Sequence, residues 1–496
     1  MKPELIKQLS KDPLQQMIAD LSVQDLYDNI TGQTDFYKYT HPWQYNPKLE
    51  WMDMYCEARS GGMYPNISWV GLQMVIRENF MNVPKLRQLF MQRAWVKSAA
   101  GGFDYFDHET WDHISKLGYL PIEIWSLPEG LEVPEGTPLF KYRSTEPCFT
   151  KSQGLLEDTF MHVWAPTSMS SRTLSLKRSV HPYFEKSSCL EDMEYSVLDF
   201  SPRSVVNKYE AAAKGGAFLL HFKGSDNAIA DQVMIMKHYY GKQRLKSVYA
   251  TEHSTAMSFG LSDEGEKAYI MHQFNTAPLD AIVSFVTDTR DTKNFMEKII
   301  GDSEVQAKMR ERTGSNVARP DTGKSTDMLD LTFHYFDKYF GHHEKNEYKV
   351  LNNGCKTLIG NNVNEKTCPA DYKYITDNGW AASNNVQAAG TGFFQWEMNR
   401  DTNRFAIKPN EGTIDGVLTP MAKFTSDAWK ASKAGAFKVY RNDQGKIVTA
   451  LASKMTRQEF DKLPDLFVRT WRNGQFEEEW TCDELDANIA LTYNNF

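Results

Sequence analysis

The sequence predicts an α/β protein: a (β/α) barrel, with a second, β-rich α+β lobe built from the N-terminal third and the C-terminal tail. Two observations predict the barrel. From about residue 190, short apolar runs alternate with helix-like segments, as parallel strands alternate with crossover helices. The runs also end in residues that carry chemistry, and barrels and doubly wound sheets both build their sites at strand C-termini. A third observation predicts the other lobe. "PIEIWSLPEGLEVPEGTPLFKYRST" (121–145) interrupts strand-like runs with Pro-Glu-Gly turns at 128–130 and 134–136, where Pro sets φ and Gly permits positive φ. The expected division is 1–169 for the N-terminal lobe, 170–400 for the barrel and 401–496 for the segment completing the first lobe.

In chain order, Leu5, Leu9, Leu14 and Met17 recur at helical spacing and predict an amphipathic helix within the first 30 residues. The strand expectations of the barrel are "YSVLDF" (195–200), "GAFLLHF" (216–222), "SVYAT" (247–251), "AIVSFVT" (281–287), "SNVA" (315–318), "KTLIG" (356–360) and "NNVQAAG" (384–390). One intervening helix is explicit: in "STDMLDLTFHYFDKYFG", Leu329, Phe333, Phe336 and Phe340 form a single apolar stripe.

Composition narrows the function classes. The 496 residues are 41% hydrophobic and 24% charged, the mix of a chain that buries a core rather than staying disordered. A net charge of -8 offers no general attraction to nucleic acid or an anionic membrane, so an anionic ligand must be held by local groups. The N-terminal 30 residues lack the apolar core of a secretory signal, and no stretch approaches the roughly 18 apolar residues of a spanning helix. The expectation is a soluble, cytoplasmic protein. Cys56, Cys148, Cys189, Cys355, Cys368 and Cys482 include no CxxC pair, which predicts neither a disulfide framework nor a structural zinc site. "DHETWDH" (107–113) places two histidines five apart, a spacing that suits no standard metal motif and reads as a solvated helix start.

Past the strand expectations stand Arg203, Lys223 and Asp226, His253, Asp288, Arg319 and Asp321, Asn361, and Gly390-Thr391-Gly392. "RPDTGKST" (319–326) is not a P-loop, because the glycine required five before Gly323 is Ala318. What it does carry is Arg319 beside Asp321, a cation for phosphate and a carboxylate for ribose hydroxyls or hydrated Mg²⁺. "LDFSPRS" (198–204) and "HFKGSDNA" (221–228) each place opposite charges a few residues apart, which suits either an ion pair closing the barrel or a site. "AGTGFFQ" (389–395) is either a tight turn or a backbone approach to an anion, with Arg400 and Lys408 following. In "TEHST" (251–255) a histidine satisfied in a loop is the ordinary reading. Gathered at one mouth with arginines and aspartates, His253 instead becomes a proton carrier or a nucleophile toward phosphorus, its ring oriented by Glu252.

Taken together, "TDFYKYTH" (34–41), "YCEARS" (55–60), "LGYLPIEIWSLPEGLEVPEGTPLF" (117–140), "LDFSPRS", "FKGSDN", "TEHSTA", "VTDTRD", "RPDTG" and "GTGFFQ" occur in that order over roughly residues 30–435. In this the chain resembles the nicotinamide phosphoribosyltransferases, of the type II phosphoribosyltransferase group. The resemblance implies transfer of a phosphoribosyl group from phosphoribosyl pyrophosphate to nicotinamide, with nicotinate as the alternative base. It implies Mg²⁺, ATP as an activating phosphate donor, and a homodimer with shared active sites. His253, Asp321 and Arg319 are the implied catalytic residues, with His253 phosphorylated by ATP. Arg203, Arg319 and His253 would contact the diphosphate. Phe200 would stack on the pyridine ring, with Tyr37 of a second copy on the other face, and Asp226 and Arg203 would complete the nicotinamide site. Asp321, Gly360, Asn361, Gly392, Arg400, Asp288, Arg59 and Lys408 would hold ribose and its 5′-phosphate.

The inventory suits the chemistry, since loss of pyrophosphate leaves an oxocarbenium-like sugar that wants cations on the leaving group and carboxylates near the ring. Five positions depart from the family's pattern: Asn361 stands where an aspartate is usual, Ser201 and Pro202 alter the loop after Phe200, and Ser204 and Thr391 each replace a glycine.

Overall fold

Seven parallel strands build one of the two units into which the chain divides in the computed structural model, which describes residues 12–426 and 428–493. This unit comprises residues 169–237 and 241–398. Its strands are β1 (Val197–Asp199), β2 (Gly224–Ser225), β3 (Tyr249–Ala250), β4 (Val283–Val286), β5 (Asn316–Arg319), β6 (Cys355–Ile359) and β7 (Asn385–Ala389). They run in the order β2-β1-β7-β6-β5-β4-β3, parallel at every pairing. The two edges meet: Gly224 bridges Lys246 just ahead of β3, with Ser225 N donating to Lys246 O at 3.1 Å and Lys246 N to Lys223 O at 2.9 Å. The sheet thereby curls onto itself as a barrel does, and its edge donors are satisfied.

Six of the seven expected strands fall on β1 and β3–β7, and the apolar stripe of residues 329–340 lies on helix Ser325–Phe340 with its four residues buried. "GAFLLHF" is the correction. It forms the end of helix Lys208–Leu219 and the turn beyond, while the strand that follows is the dipeptide Gly224–Ser225. Every residue from Ala211 to Leu219 is buried, so the helix has no polar face and shows no 3.6-residue contrast. Gly215 explains its close seat. A methyl group there would come within 2.8 Å of Asp199 Oδ2 and also collide with the Asn227 amide.

The barrel is hollow because of what its strands turn inward. Side chains alternate across a strand, and the interior receives Leu198 from β1, Gly224 and Ser225 from β2, Ala250 from β3, Ser284 from β4, Val317 from β5, Lys356 and Leu358 from β6, and Val386 from β7. Glycine, serine and alanine on β2–β4 are too small to fill it. A cavity of about 390 Å³ results, running from Tyr195, Ile282 and Ser315 before their strands to Phe200 and Asp226 beyond theirs.

The other unit comprises residues up to Ser168, His238–Tyr240 and the chain from Asn399 onward. Its seven-stranded antiparallel sheet runs Val417–Pro420, Phe405–Ile414, Leu49–Ala58, Pro138–Ser144, Ile122–Ser126, Val468–Arg472 and Gln475–Phe476. Strands from before residue 145 and after residue 404 therefore share one ladder. Gly130 and Gly136 end the Pro-Glu-Gly turns at φ of 89° and 77°, where a β-carbon would be strained. Among the described residues the N-terminal 30 hold two short helices, Pro13–Ala19 capped by Asp12 and Val23–Tyr27 capped by Ser22. Leu14 and Met17 are half-buried on the first, and Leu5 and Leu9 lie outside the described residues. No helix among the described residues is long and apolar enough to cross a membrane.

One buried acid of this sheet makes stability depend on pH. Asp53 is 4% exposed and its Oδ1 makes no hydrogen bond. Burial pushes its carboxyl up to about 6, against the opposing pull of Lys141 and Arg143. A raised folded-state value means that the unfolded chain ionises first, so stability falls as pH rises through the interval from the ordinary aspartate value to about 6. Across pH 4 to 7 the protein should lose up to about 3 kcal/mol of unfolding free energy relative to Asp53→Asn. Denaturant titrations of both proteins at the two pH values measure this, and parallel behaviour would exclude it.

Candidate active site

His253 opens helix His253–Met257, three residues past the end of β3. Its ring is gripped from the loop after β4. Asp288 Oδ1 lies 2.9 Å from His253 Nε2, and Asp288 Oδ2 accepts Asp321 N at 3.1 Å and Thr322 Oγ1 at 2.8 Å. The Asp288 side chain is 4% exposed against 36% for His253. With both oxygens engaged, this carboxylate is an orienting group, which assigns the Nε2 proton and leaves Nδ1 facing Asp321 Oδ2 at 4.0 Å.

One expectation changes here. Glu252 does not orient the ring: its carboxylate takes the Ser254 hydroxyl, and its backbone N–H donates to Thr255 Oγ1 at 3.3 Å. Glu252, Ser254 and Thr255 thus build the helix start. Asp288, expected at the ribose, also stands behind the histidine.

Arg319 ends β5, and its Nε is buried without a hydrogen bond. Gly360, just past β6, makes room for Asp321. A methyl group on it would sit 3.0 Å from Asp321 Oδ1. Asn361 donates from Nδ2 to Gly323 O at 3.1 Å, joining the loops after β5 and β6. An aspartate could not donate this bond, which gives the amide at this position a structural reason.

Phe200 and Asp226 both line the strand-C-terminal mouth of the cavity. Phe200 is held by its N–H to Ala389 O at 2.8 Å and by packing against Val317, Leu358 and Ala388. Asp226 is held by its N–H to Asp199 O at 3.0 Å, and its Oδ1 accepts the Ser247 hydroxyl. Beneath both, Asp199 accepts Ser201 N at 2.7 Å and Asn227 Nδ2 at 3.1 Å, and burial pushes its carboxyl up to about 6. The barrel-closing ion pair within "HFKGSDNA" does not form, because Lys223 pairs with Glu194 at 2.7 Å.

Arg203 lies exposed on the loop after Phe200. That loop is tied to the glycine loop after β7 by Thr391 Oγ1 donating to Ser204 Oγ at 2.9 Å, so two departures from the family's pattern hydrogen-bond to each other. Gly392 allows close approach there, since a methyl group would sit 3.1 Å from Val363 O.

The remaining expected site residues belong to the antiparallel unit. Arg59 and Arg400 line a cavity of about 500 Å³ with Asp401, Arg404, Phe405, Trp429 and Lys430. Arg59 Nε and Nη2 make no hydrogen bond there, with Glu57 3.8 Å away. Lys408 lies on Phe405–Ile414 outside that lining, its ammonium disfavoured by burial and donating to Ile407 O at 2.7 Å. Tyr37 is 57% exposed on the turn Phe36–Thr40. Sequence reasoning did not identify Ser247, Asp199, Thr322 or Lys356 with this site. The alternation of small residues in "VYA" and "VSF" was a usable sign of the hollow interior, but the bonds of Asp199 and Thr322 have no local signature.

Comparisons with known proteins identify the family. The family model "Nicotinamide phosphoribosyltransferase, N-terminal domain" matches residues 29–124, and that of the "Nicotinate phosphoribosyltransferase (NAPRTase) family" matches residues 195–462. A nicotinamide phosphoribosyltransferase of Xanthomonas campestris is 30% identical, covering 93% of this chain and 98% of its own. One of Acinetobacter baylyi is 26% identical, covering 94% and 98%. Among solved structures, the nicotinate-nucleotide pyrophosphorylase of Pyrococcus furiosus is similar with a TM-score of 0.58 at 12% identity, covering 96% of this chain and 98% of its own. Human nicotinic acid phosphoribosyltransferase is similar with a TM-score of 0.56 at 15% identity, covering 93% and 94%. At such identities the structures bear on the fold alone.

Proposed function

The chain belongs to the nicotinate phosphoribosyltransferase family, and we propose that it transfers the phosphoribosyl group of phosphoribosyl pyrophosphate to nicotinamide, giving nicotinamide mononucleotide and pyrophosphate in NAD salvage. The observation that carries the choice of base is that Asp226 and Phe200 both line the mouth of the cavity. Ser247 occupies Asp226 Oδ1, so Oδ2 is offered to the carboxamide N–H while the Phe200 ring takes one face of the pyridine. A carboxylate there repels the carboxylate of nicotinate. Nicotinate is the second reading, favoured by the description of the family that spans residues 195–462.

In the transfer, the bond from the sugar's anomeric carbon to pyrophosphate breaks and a bond to the pyridine nitrogen forms. Arg319, with an uncommitted buried Nε, and exposed Arg203 receive the departing negative charge, and Asp321 faces the cationic sugar. Gly360, Asn361 and Gly392 leave ribose its space. Arg59 and Arg400 suit the 5′-phosphate, which guanidinium groups grip bidentately. Asp321 and the diphosphate are the hard oxygen donors that Mg²⁺ takes, and the ion would neutralise the leaving group. ATP would supply a phosphoryl group to His253. Because Asp288 holds Nε2, the acceptor is Nδ1. A second copy would place Tyr37 on the free face of the pyridine, making the active species a homodimer.

Purified protein supplied with Mg²⁺, phosphoribosyl pyrophosphate and either base tests the proposal. Nicotinamide mononucleotide is the expected product, with light scattering giving the mass of a dimer. Absence of mononucleotide from both bases, with and without ATP, would overturn the activity, and a preference for nicotinate would overturn the choice of base.

A further inference from the structure

Outside the barrel, helix His108–Leu117 and the turn Pro147–Phe149 bring three different donors together. His113 Nε2 stands 3.9 Å from Glu146 Oε2, and a ligand atom from each of His113, Glu146 and Cys148 lies within 4.8 Å of the others. We infer that His113, Glu146 and Cys148 form a zinc site with three protein ligands and an open fourth position. The donor set is the chemical argument. Zn²⁺ takes imidazole, carboxylate and thiolate together, and one thiolate with one carboxylate neutralises its charge. Ligands at 2.0–2.3 Å from a tetrahedral ion stand about 3.3–3.8 Å apart, so the three must draw in by up to about 1 Å.

The scaffold permits that movement without backbone change. Thr110 Oγ1 donates to Cys148 O at 3.3 Å and the Trp111 ring stacks edge-on against Phe149 at 5.3 Å, which fastens the helix to the turn. Glu146 is fixed through Ser144, whose hydroxyl donates to Glu146 O at 2.6 Å and accepts Glu146 N at 3.1 Å. Only side chains need to turn, and His113 and Glu146 are 46% and 37% exposed. Cys148 is the exposed cysteine of the six. It binds as the thiolate, its proton passing to solvent.

The other histidine of "DHETWDH", His108, takes no part. The other two ligands come from a turn more than thirty residues away, which no spacing within residues 107–113 could indicate.

Co²⁺, which reports thiolate ligation by a charge-transfer band, tests the site on the full chain. One equivalent should produce the band, Zn²⁺ should displace it, and Zn²⁺ should slow alkylation of Cys148 but not of half-buried Cys189. Cys148→Ser should abolish the band. His113→Gln should weaken Co²⁺ binding by at least about tenfold, since even outer groups of a metal site are worth that much. Both are surface changes, and unaltered phosphoribosyl transfer verifies folding. A band that survives in Cys148→Ser, no band at all, or alkylation of Cys148 indifferent to Zn²⁺ would overturn the inference.

Discussion

Asp226→Asn should move the ratio of kcat/KM for nicotinamide over nicotinate by about two to four powers of ten toward nicotinate. Two effects act in the same direction. The hydrogen bond from the carboxamide to a charged acceptor, worth about 1.5–3 kcal/mol, becomes one to a neutral amide oxygen. The repulsion of the nicotinate carboxylate, of several kcal/mol at contact, disappears. Asparagine keeps the shape and can still accept from Ser247, whose hydroxyl is bound to Oδ1, so the loop after β2 has no reason to move. Steady-state rates with both bases on both proteins decide the matter. An unchanged ratio would remove Asp226 from base selection.

His253→Ala should eliminate phosphoenzyme and ATP stimulation together, leaving a slower, ATP-independent transfer. With γ-labelled ATP, the wild type should retain acid-labile, base-stable label on one residue per chain. Because Asp288 binds Nε2 at 2.9 Å, phosphorus NMR of the labelled protein should show the Nδ1 isomer, and the Nε2 isomer would contradict the tautomer with its proton on Nε2. Asp288→Asn should slow labelling by about 10- to 100-fold, the usual effect of losing an orienting carboxylate. Glu252→Gln should change it by less than about threefold, because that side chain serves the helix start. Retained labelling in His253→Ala would defeat the assignment.

The fold was legible where strands were long enough to carry an apolar signature, as in "AIVSFVT" and "NNVQAAG", and where a helix had a polar side, as in residues 325–340. It was illegible at helix Lys208–Leu219 because burial on all sides erases periodicity, and at β2 because two residues are too few to make a pattern. The site was legible in its residue types. Which carboxylate serves the histidine was not, because Glu252 is adjacent in sequence while Asp288 is 35 positions away.

The sequence by itself determined the alternation of strands and helices, the Pro-Glu-Gly turns and the presence of reactive side chains at successive strand ends. These are local facts, carried by the period of apolar residues and by the backbone preferences of Pro and Gly. Only the tertiary structure decided that the barrel is hollow, that Asp288 rather than Glu252 grips His253, that Asn361 ties two loops, and that His113 meets Glu146 and Cys148. The physical reason is common to all four. An interior is made of single inward positions from separate strands, and a hydrogen bond or ligand set is made by whichever groups arrive within about 3–5 Å, a condition that chain closure creates and no window of sequence contains.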